Sequence, residues 1–188
     1  RNDLNELDEK GLIKRTHGGA ISTQSVNYEM NFVDREILFQ GEKEAVARQA
    51  LQYIREGDCI GLDAGTTTYE LAKLLTEFSR LTIVTYDLNI AAFLDSNTEH
   101  AVFLAGGEIR KHFHYLTGEA ALRTLQDLYL DVLFLAGNGV DAVKGLTTPN
   151  LDTARIKKCL IANSRHKVLL ADHSKINNVS FTKYADVS

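Results

Sequence analysis

The chain has little cysteine: two residues in 188, Cys59 and Cys159, both in apolar surroundings and far apart in sequence. That speaks against a disulfide framework and fits a reducing, cytoplasmic setting. Long hydrophobic runs are missing as well. No stretch approaches the roughly eighteen uninterrupted apolar residues of a membrane helix, and no signal peptide opens the sequence. Excess positive charge is also absent. With 21 Lys and Arg against 25 Asp and Glu the formal charge is -4, so nothing draws the whole chain to nucleic acid or to an acidic membrane. Any DNA contact has to come from a local patch. The opening Arg1-Asn2-Asp3-Leu4 has no initiator Met and begins inside a polar helical pattern, so a piece of a longer protein is expected.

What is present is an ordinary globular composition, 44% hydrophobic and 24% charged, in a length that suits one good core plus a small appendage. Residues 1–30 differ in texture from the rest. A short helix carried by Leu4 and Leu7 stops at Gly11, and a strand-like stretch over 12–16 runs into His17-Gly18-Gly19-Ala20. Four basic and four acidic residues share positions 1–17, so charge does not mark a DNA-binding unit. Residues 22–31 are polar and read as a connection. The spacing of Val46, Ala47, Ala50, Leu51 and Ile54 predicts a helix over 42–54, with Glu42, Lys43, Arg48, Gln49 and Gln52 toward water.

From there apolar strands alternate with helices. Strands are expected at 59–62, 81–85, 101–105, 131–135 and 167–171, with helices after Thr68 and through 91–94, 119–128 and 151–163. Near-continuous apolar strands in this alternation predict an α/β fold with a mostly parallel open sheet covered by helices on both faces. The loops after such strands gather at one edge, where open α/β sheets bind ligands. Six are expected there: 63–68, 85–87, 106–108, 137–141, 145–149 and 172–175.

The first of these, Asp63-Ala64-Gly65-Thr66-Thr67-Thr68, places a glycine and three hydroxyls beside the unpaired amides of the next helix. That is a site for an anion the size of phosphate. It lacks the Lys-Ser/Thr of a nucleoside triphosphate loop and the G-x-G-x-x-G of a dinucleotide loop. Thr66 or Thr67 could equally cap the helix, with Gly65 serving the turn. Around it, Asp63 and Asp141 suit sugar hydroxyls, while Thr66, Thr67 and Thr68 with Lys157 or Lys175 suit phosphate. Together they describe a small phosphorylated sugar or polyol. Any one of them also has a structural reading, as a cap, a turn or a solvated charge.

Other chemistries fare worse. His112 and His114 form an H-x-H without a third ligand at zinc spacing. Asp172-His173-Ser174 has the residue types of a triad but not its geometry. Tyr69 and Phe78 suit core or rim. Residues 108–117, with Phe113 and Tyr115, read as a long loop and a candidate lid.

These stretches carry a family likeness. Residues 3–20, DLNELDEKGLIKRTHGGA, resemble the end of the recognition helix and the wing of DeoR-type repressors. DCIGLDAGTTTYEL (58–71), LTIVTYDLN (81–89), LAGGEIR (104–110), LAGNGVDAVKGLTTP (135–149) and LADHSK (170–175) resemble that family's sensor domain in order and spacing. The resemblance implies a fold similar to ribose-phosphate isomerases and CoA-transferases, preceded by a partial winged-helix remnant. It implies a remnant over 1–20, with DNA-binding residues Arg1, Asn2, Lys14, Arg15 and His17, a linker over 21–35, and an effector-sensing domain over 36–188 that is itself truncated at its end. It further implies a repressor of a sugar or polyol catabolic operon, released from operator DNA by a phosphorylated intermediate, with no cofactor, no metal, no membrane, and a dimeric or tetrameric homo-oligomer. The effector-binding residues it implies are Asp63, Ala64, Gly65, Thr66, Thr67, Thr68, Thr85, Tyr86, Asp87, Gly106, Gly107, Arg110, Asn138, Gly139, Asp141, Lys157, Asp172 and Lys175. Thr85-Tyr86-Asp87 replaces the family's usual Thr-Asn-Ser, which adds a ring and a carboxylate expected at the pocket edge; Asn138 stands for a frequent aspartate and Arg155 for a frequent glutamate. The runner-up is a sugar-phosphate isomerase with Asp141 as base, or a CoA-transferase-like enzyme using Glu108 or Glu119.

Overall fold

The computed structural model describes residues 13–16, 19–22 and 25–187. Strands β1 (Ile13–Thr16) and β2 (Gly19–Ser22) form an antiparallel hairpin. Of the expected DNA-contact residues, Arg1, Asn2 and His17 lie outside the described residues, as does the helix over 1–11; Lys14 and Arg15 are described only as positions in β1. The stretch expected to be a connection contains a helix, α1 (Phe32–Ile37), whose first turn is capped by Asn31 accepting from the Asp34 amide at 2.9 Å. Helix α2 (Gln40–Ala50) follows and tightens into a 3-10 turn at Leu51–Tyr53. Its apolar stripe packs inward as the spacing predicts. Lys43 departs from it: expected in water, it is 3% exposed and lines a cavity described below.

Five strands make the main sheet, all parallel: β3 (Cys59–Leu62), β4 (Thr82–Thr85), β5 (Ala101–Leu104), β8 (Leu130–Ala136) and β11 (Ser164–Leu170). Their order is β11-β8-β3-β4-β5. Alternate side chains go to opposite faces. Ile60, Leu62, Ile83, Val132 and Phe134 pack with α2, α3 (Thr66–Leu74) and α4 (Leu88–Asn97). Val84, Leu130, Leu133 and Leu135 pack with α5 (Glu119–Leu125) and α6 (Leu151–Ala162). Burial on both faces is why the strands read as unbroken apolar runs. The first strand of the sheet lies at its centre, later strands add to one side and then the other, and the order reverses between β3 and β8. That reversal opens a crevice at the carboxyl ends of these two strands.

Two stretches expected as loops are strands. Between β5 and α5 the chain forms a ribbon of β6 (Glu108–Arg110) and β7 (Tyr115–Thr117), with a tip where His112 and His114 both take left-handed backbone. The ribbon seals the end of β4: the Leu116 amide donates to the Tyr86 carbonyl at 2.8 Å and the Leu88 amide to that of His114 at 2.9 Å. Tyr115 is buried and its ring meets Tyr86 edge-on. The ribbon is therefore a fixed plug over β4 rather than a lid. Beyond β8, β9 (Gly139–Asp141), β10 (Gly145–Thr148) and β12 (Thr182–Ala185) form a separate antiparallel sheet, so 137–141 and 145–149 are largely strand. Among the described residues no helix is long and apolar enough to cross a membrane.

Where the ribbon meets the sheet, Asp87 is fully buried, and its Oδ1 caps α4 by accepting from the Asn89 and Ile90 amides at 2.8 and 3.1 Å. Burial pushes this carboxyl up from its ordinary 3.8 to about 6, against the pull of those amides. The native state then holds the Asp87 proton more tightly than the unfolded chain does. Ionising Asp87 therefore subtracts stability as pH rises from about 4 to about 6, on the order of 3 kcal/mol in full. Asp87→Asn cannot ionise. Whatever constant offset the amide adds, denaturant titrations are expected to show the variant gaining on the parent by about that amount between pH 4 and pH 7; a difference that does not change with pH would refute it.

Candidate functional site

The floor of the crevice is a buried ion pair. Asp63 ends β3, is inaccessible to solvent, and accepts from Lys157 of α6, from the Tyr86 hydroxyl, from the Ala136 amide at 2.7 Å and from the Ala64 amide at 3.0 Å. Lys157 is 2% exposed and also donates to the Ala136 carbonyl at 2.8 Å, with its ammonium 5.2 Å from the Tyr184 ring centroid. Burial and the Asp63 charge push both tyrosine hydroxyls above their usual range, so they stay protonated; the Tyr86 hydroxyl donates to Asp63 and the Tyr184 hydroxyl to the Ala136 carbonyl. Every oxygen of Asp63 is thus committed inside the protein. The carboxylate expected to hold sugar hydroxyls instead ties the ends of β3 and β8 to α6.

Above this floor lies a cavity of about 420 Å3, ordinary for a small ligand. Its sheet side is Gly65, Thr66 and Thr67 after β3, Ala136 to Asn138 after β8, and Asp172, Ser174 and Lys175 after β11. Gly65 is the N-cap of α3 and has no side chain to bond the first turn. Neither Thr66 nor Thr67 acts as the cap; both line the cavity, whereas the Thr68 hydroxyl is used on the Gly65 carbonyl at 2.8 Å. The Gly65 amide itself is directed at the Asp87 carboxylate, but the cap residue offers no side chain to the amides that follow, and their residues Thr66 and Thr67 line the cavity.

The other wall comes from residues 25–43, which contribute Glu29, Arg35, Phe39 and Lys43. Lys43 donates to the Arg35 carbonyl. Arg35 lies 4.0 Å from Glu29, and among the described residues its buried Nε has no hydrogen-bond partner. Across the cavity Lys175 donates to Ser174 at 2.9 Å and stands 4.0 Å from Asp172. Burial holds Lys43 and Lys175 below the usual lysine range, with Asp172 pulling each the other way. For Asp172 burial acts upward, but the Ser174 hydroxyl and Lys175 bring it below the usual carboxylate range. Three cations and two carboxylates face this space, and Glu29 is shared with Arg110 at 2.5 Å. The balance favours an anion.

The expected site residues divide accordingly. Gly65, Thr66, Thr67, Asn138, Asp172 and Lys175 come together around the cavity. Asp63, Ala64, Thr68 and Lys157 lie beneath or beside it, as described. Thr85, Tyr86 and Asp87, expected at the pocket edge, are buried under the β6–β7 ribbon. Gly106 and Gly107 sit beside that ribbon; a Cβ on Gly107 would strike the Thr117 carbonyl, so its glycine serves this approach. Gly139 likewise lets β9 meet the Thr147 side chain and the 178 backbone. Arg110 stacks on Phe113 and bonds Glu29 and Tyr115 outside the cavity. Asp141 lies outside the cavity lining and accepts from the Lys144 and Val143 amides at 2.7 and 2.9 Å, which hold it below the usual carboxylate range, so no general base stands there. His173 turns away to Glu42 at 2.8 Å while Asp172 bonds Ser174, which leaves no relay. Among the described residues no three His, Cys, Asp or Glu side chains are grouped to hold a metal. Sequence reading missed Glu29, Arg35 and Lys43; a lysine and an arginine eight positions apart on two short helices give no periodic signal.

The floor pair yields a stability prediction. Removing one partner strands the other charge in the core, which costs about 3–5 kcal/mol. Asp63→Ala and Lys157→Met are each expected to lose that much in chemical denaturation, about 6–20 °C of Tm. Their combination should cost less than the sum, because the second change removes a charge already stranded. Single losses under about 1 kcal/mol would mean the pair is not the buried strut described.

Comparisons with known proteins agree with this architecture. The model of the DeoR C terminal sensor domain matches residues 39–188, and that of the DeoR-like helix-turn-helix domain matches residues 1–26. The chain is 36% identical over 187 residues to the HTH-type transcriptional regulator GlpR of Haloferax volcanii, covering 100% of this chain and 73% of that protein. It is 37% identical over 189 residues to the glycerol-3-phosphate regulon repressor of Escherichia coli, covering 100% and 74%. Among solved structures, a D-ribose-5-phosphate isomerase in complex with phospho-erythronic acid matches with a TM-score of 0.54 at 19% identity, over 73% of this chain and 54% of that one. The eIF2B delta of Chaetomium thermophilum matches at 0.52 and 16%, over 79% and 54%. These two likenesses concern the fold alone. With a sensor-domain match over most of its length and regulators as its relatives, this chain belongs to the DeoR family of transcriptional regulators and is a regulator rather than an enzyme.

Proposed function

We propose that the cavity is the effector site of a repressor of sugar or polyol catabolism, and that its ligand is a small phosphorylated sugar or polyol. The observation that carries this reading is the uncapped N-terminus of α3, which opens onto a space also faced by Arg35, Lys43 and Lys175. A phosphate there receives helix amides, the Thr66 and Thr67 hydroxyls and charge from three cations. Asn138, Asp172 and Ser174 are placed for the hydroxyls of the carbon chain. Asp63, Lys157 and Tyr86 hold the floor without touching ligand. In the full protein, operator DNA is the second partner. Paired recognition of an operator calls for a homo-oligomer, and the work is done where DNA is, in the cytoplasm. The names of two relatives, which mention glycerol 3-phosphate, support the ligand class without fixing the ester.

A thermal-shift panel tests this. Glycerol 3-phosphate, ribose 5-phosphate and fructose 1-phosphate are compared with their unphosphorylated parents. One ester at about a hundred times its Kd is expected to add roughly 2.7 kcal/mol, a shift of about 5–10 °C, with no turnover. Thr67→Gln should abolish the shift by filling the phosphate position; a shift that survives it removes this loop from the site.

Affinity should also depend on pH in a defined way. An anion favours the protonated forms of Lys43 and Lys175, whose burial already holds them below the usual 10.5. Calorimetric affinity is therefore expected to fall on the alkaline side before ordinary lysines titrate, and on the acid side as the ester regains its second proton near pH 6 or so. A flat profile between pH 6 and 10 would exclude both lysines from the contact.

A further inference from the structure

The segment between the β1–β2 hairpin and α2 has a placement that a tether does not need. Residues 25–39 run across the mouth of the cavity and supply one side of it, including Glu29, Arg35 and Phe39. Helix α1 within it is thinly packed. It is six residues long and buries one of them fully, Phe32, while Val33 and Ile37 face outward at 60% and 74% exposure. Elements with so few buried contacts lie at the low end of local stability.

The segment is held at its ends and at its middle: the Phe181 amide donates to the Val26 carbonyl at 2.9 Å, the Phe39 ring meets His173 at 4.7 Å, and Lys43 donates to the Arg35 carbonyl, while α1 itself rests on Tyr69 and on the β6–β7 ribbon. The Phe32 amide donates to the His112 carbonyl at 3.0 Å, the Phe32 ring lies 5.3 Å from that of His114, and Arg110 reaches Glu29 at 2.5 Å. The tip that receives these contacts has left-handed backbone at both His112 and His114, at φ 69° and 61°. Such conformations persist only where surrounding structure fixes them. At its start, the segment is two residues beyond the hairpin: the Ser25 amide donates to the Ser22 carbonyl at 3.2 Å.

We propose that residues 25–39 are the moving part of the sensor: ligand in the cavity draws Arg35 toward the α3 N-terminus, seats α1 on the ribbon tip, and so fixes the bearing of the hairpin at the other end of the segment. The proposal rests on the phosphate-ester reading of the cavity and adds how its occupancy leaves the domain. Arg35 is the responsive group, because its guanidinium is incompletely bonded and belongs to the thinly packed α1. The sheet-side loops, anchored through Asp63 and Lys157, have little room to respond. A ligand shifts this equilibrium by its preference for the seated wall and by no more.

Hydrogen exchange on the full-length protein, with the panel ester giving the largest thermal shift, tests the idea. Amides over 32–38 are expected to slow at least tenfold together with those over 65–69. Protection confined to 65–69 and 172–176, with 28–38 unchanged, would overturn the proposal and leave the ligand reading standing. Protection nowhere, with any ester of the panel, would remove both. A second arm uses Phe32→Ala, which loosens the wall without altering a cavity residue, at ester concentrations shown by thermal shift to saturate. The parent's operator affinity should change by a factor of about 5–150 with ester, the usual range of allosteric coupling, and the variant's by less than a third of that factor. An unaltered factor in Phe32→Ala would also overturn the proposal. Should that variant not fold, the exchange experiment decides alone.

Discussion

The ion pair between Asp63 and Lys157 determines what the rest of the molecule can be. It sits where the sheet changes direction, so the strand that ends in Asp63, the strand whose backbone flanks it at Ala136, and the helix that carries Lys157 are fixed to one another by one carboxylate. Two charges without solvent access survive because each is bonded several times over, Asp63 by two amides, a hydroxyl and an ammonium. A fold can replace such a pair with apolar groups at little loss of stability. What it cannot replace so easily is direction: the carboxylate bonds the Ala64 amide at the start of the loop into α3 and the Ala136 amide at the end of β8, and so ties both to α6.

From that fixed floor the carboxyl edge divides in two. The ends of β4 and β5 are closed by the β6–β7 ribbon, whose Tyr115 and Leu116 are buried against Tyr86. The ends of β3, β8 and β11 remain open and form the cavity. The closed half makes the open half rigid on one side. The remaining side is supplied by residues 25–39, which precede the sheet in sequence and complete a pocket they do not belong to by topology. On the proposed reading, a site finished by a segment that also leads to the DNA-binding unit would couple the two with no long relay of contacts.

Much of this was legible in the sequence, and for definite reasons. The parallel sheet is readable because strands buried on both faces cannot hide their apolar runs, and the position of Gly65-Thr66-Thr67 at the carboxyl end of β3 is readable because a glycine and hydroxyls between an apolar run and a helical pattern mark the loop that joins them. The site was over-read at Asp63 and Lys157: residue type announces a charge but not whether its partner is a ligand or another side chain. Tyr86 and Asp87 lie under a ribbon that the sequence does not announce: two three-residue strands around the left-handed His112 and His114 carry no alternating pattern. Gly107 and Gly139 signal close backbone approach, yet sequence cannot say whether a ligand or another strand makes it. Lys43 went the other way. It sits at a polar position of an amphipathic helix and is buried only because residues 25–39 fold back over it.

The same geometry bears on why a fold shared with a sugar-phosphate isomerase belongs here to a regulator rather than an enzyme. Taking a proton from carbon requires a carboxylate with a free oxygen aimed into the pocket. Asp63 is consumed by the floor, Glu29 is paired with Arg110, and Asp141 is bound to its own turn outside the cavity. Asp172 remains, but it accepts from Ser174 and lies beside Lys175, and it is held below the usual carboxylate range, which makes it a poor base near neutral pH. Among the carboxylates that line the cavity none is therefore a ready base; Asp87, with a buried oxygen that has no hydrogen-bond partner among the described residues and a carboxyl raised to about 6, lies under the ribbon and outside that lining. On the proposed reading, a ligand held there would be gripped more tightly as its charge grows and left chemically unchanged, and its binding energy would be available to act on the wall that holds it.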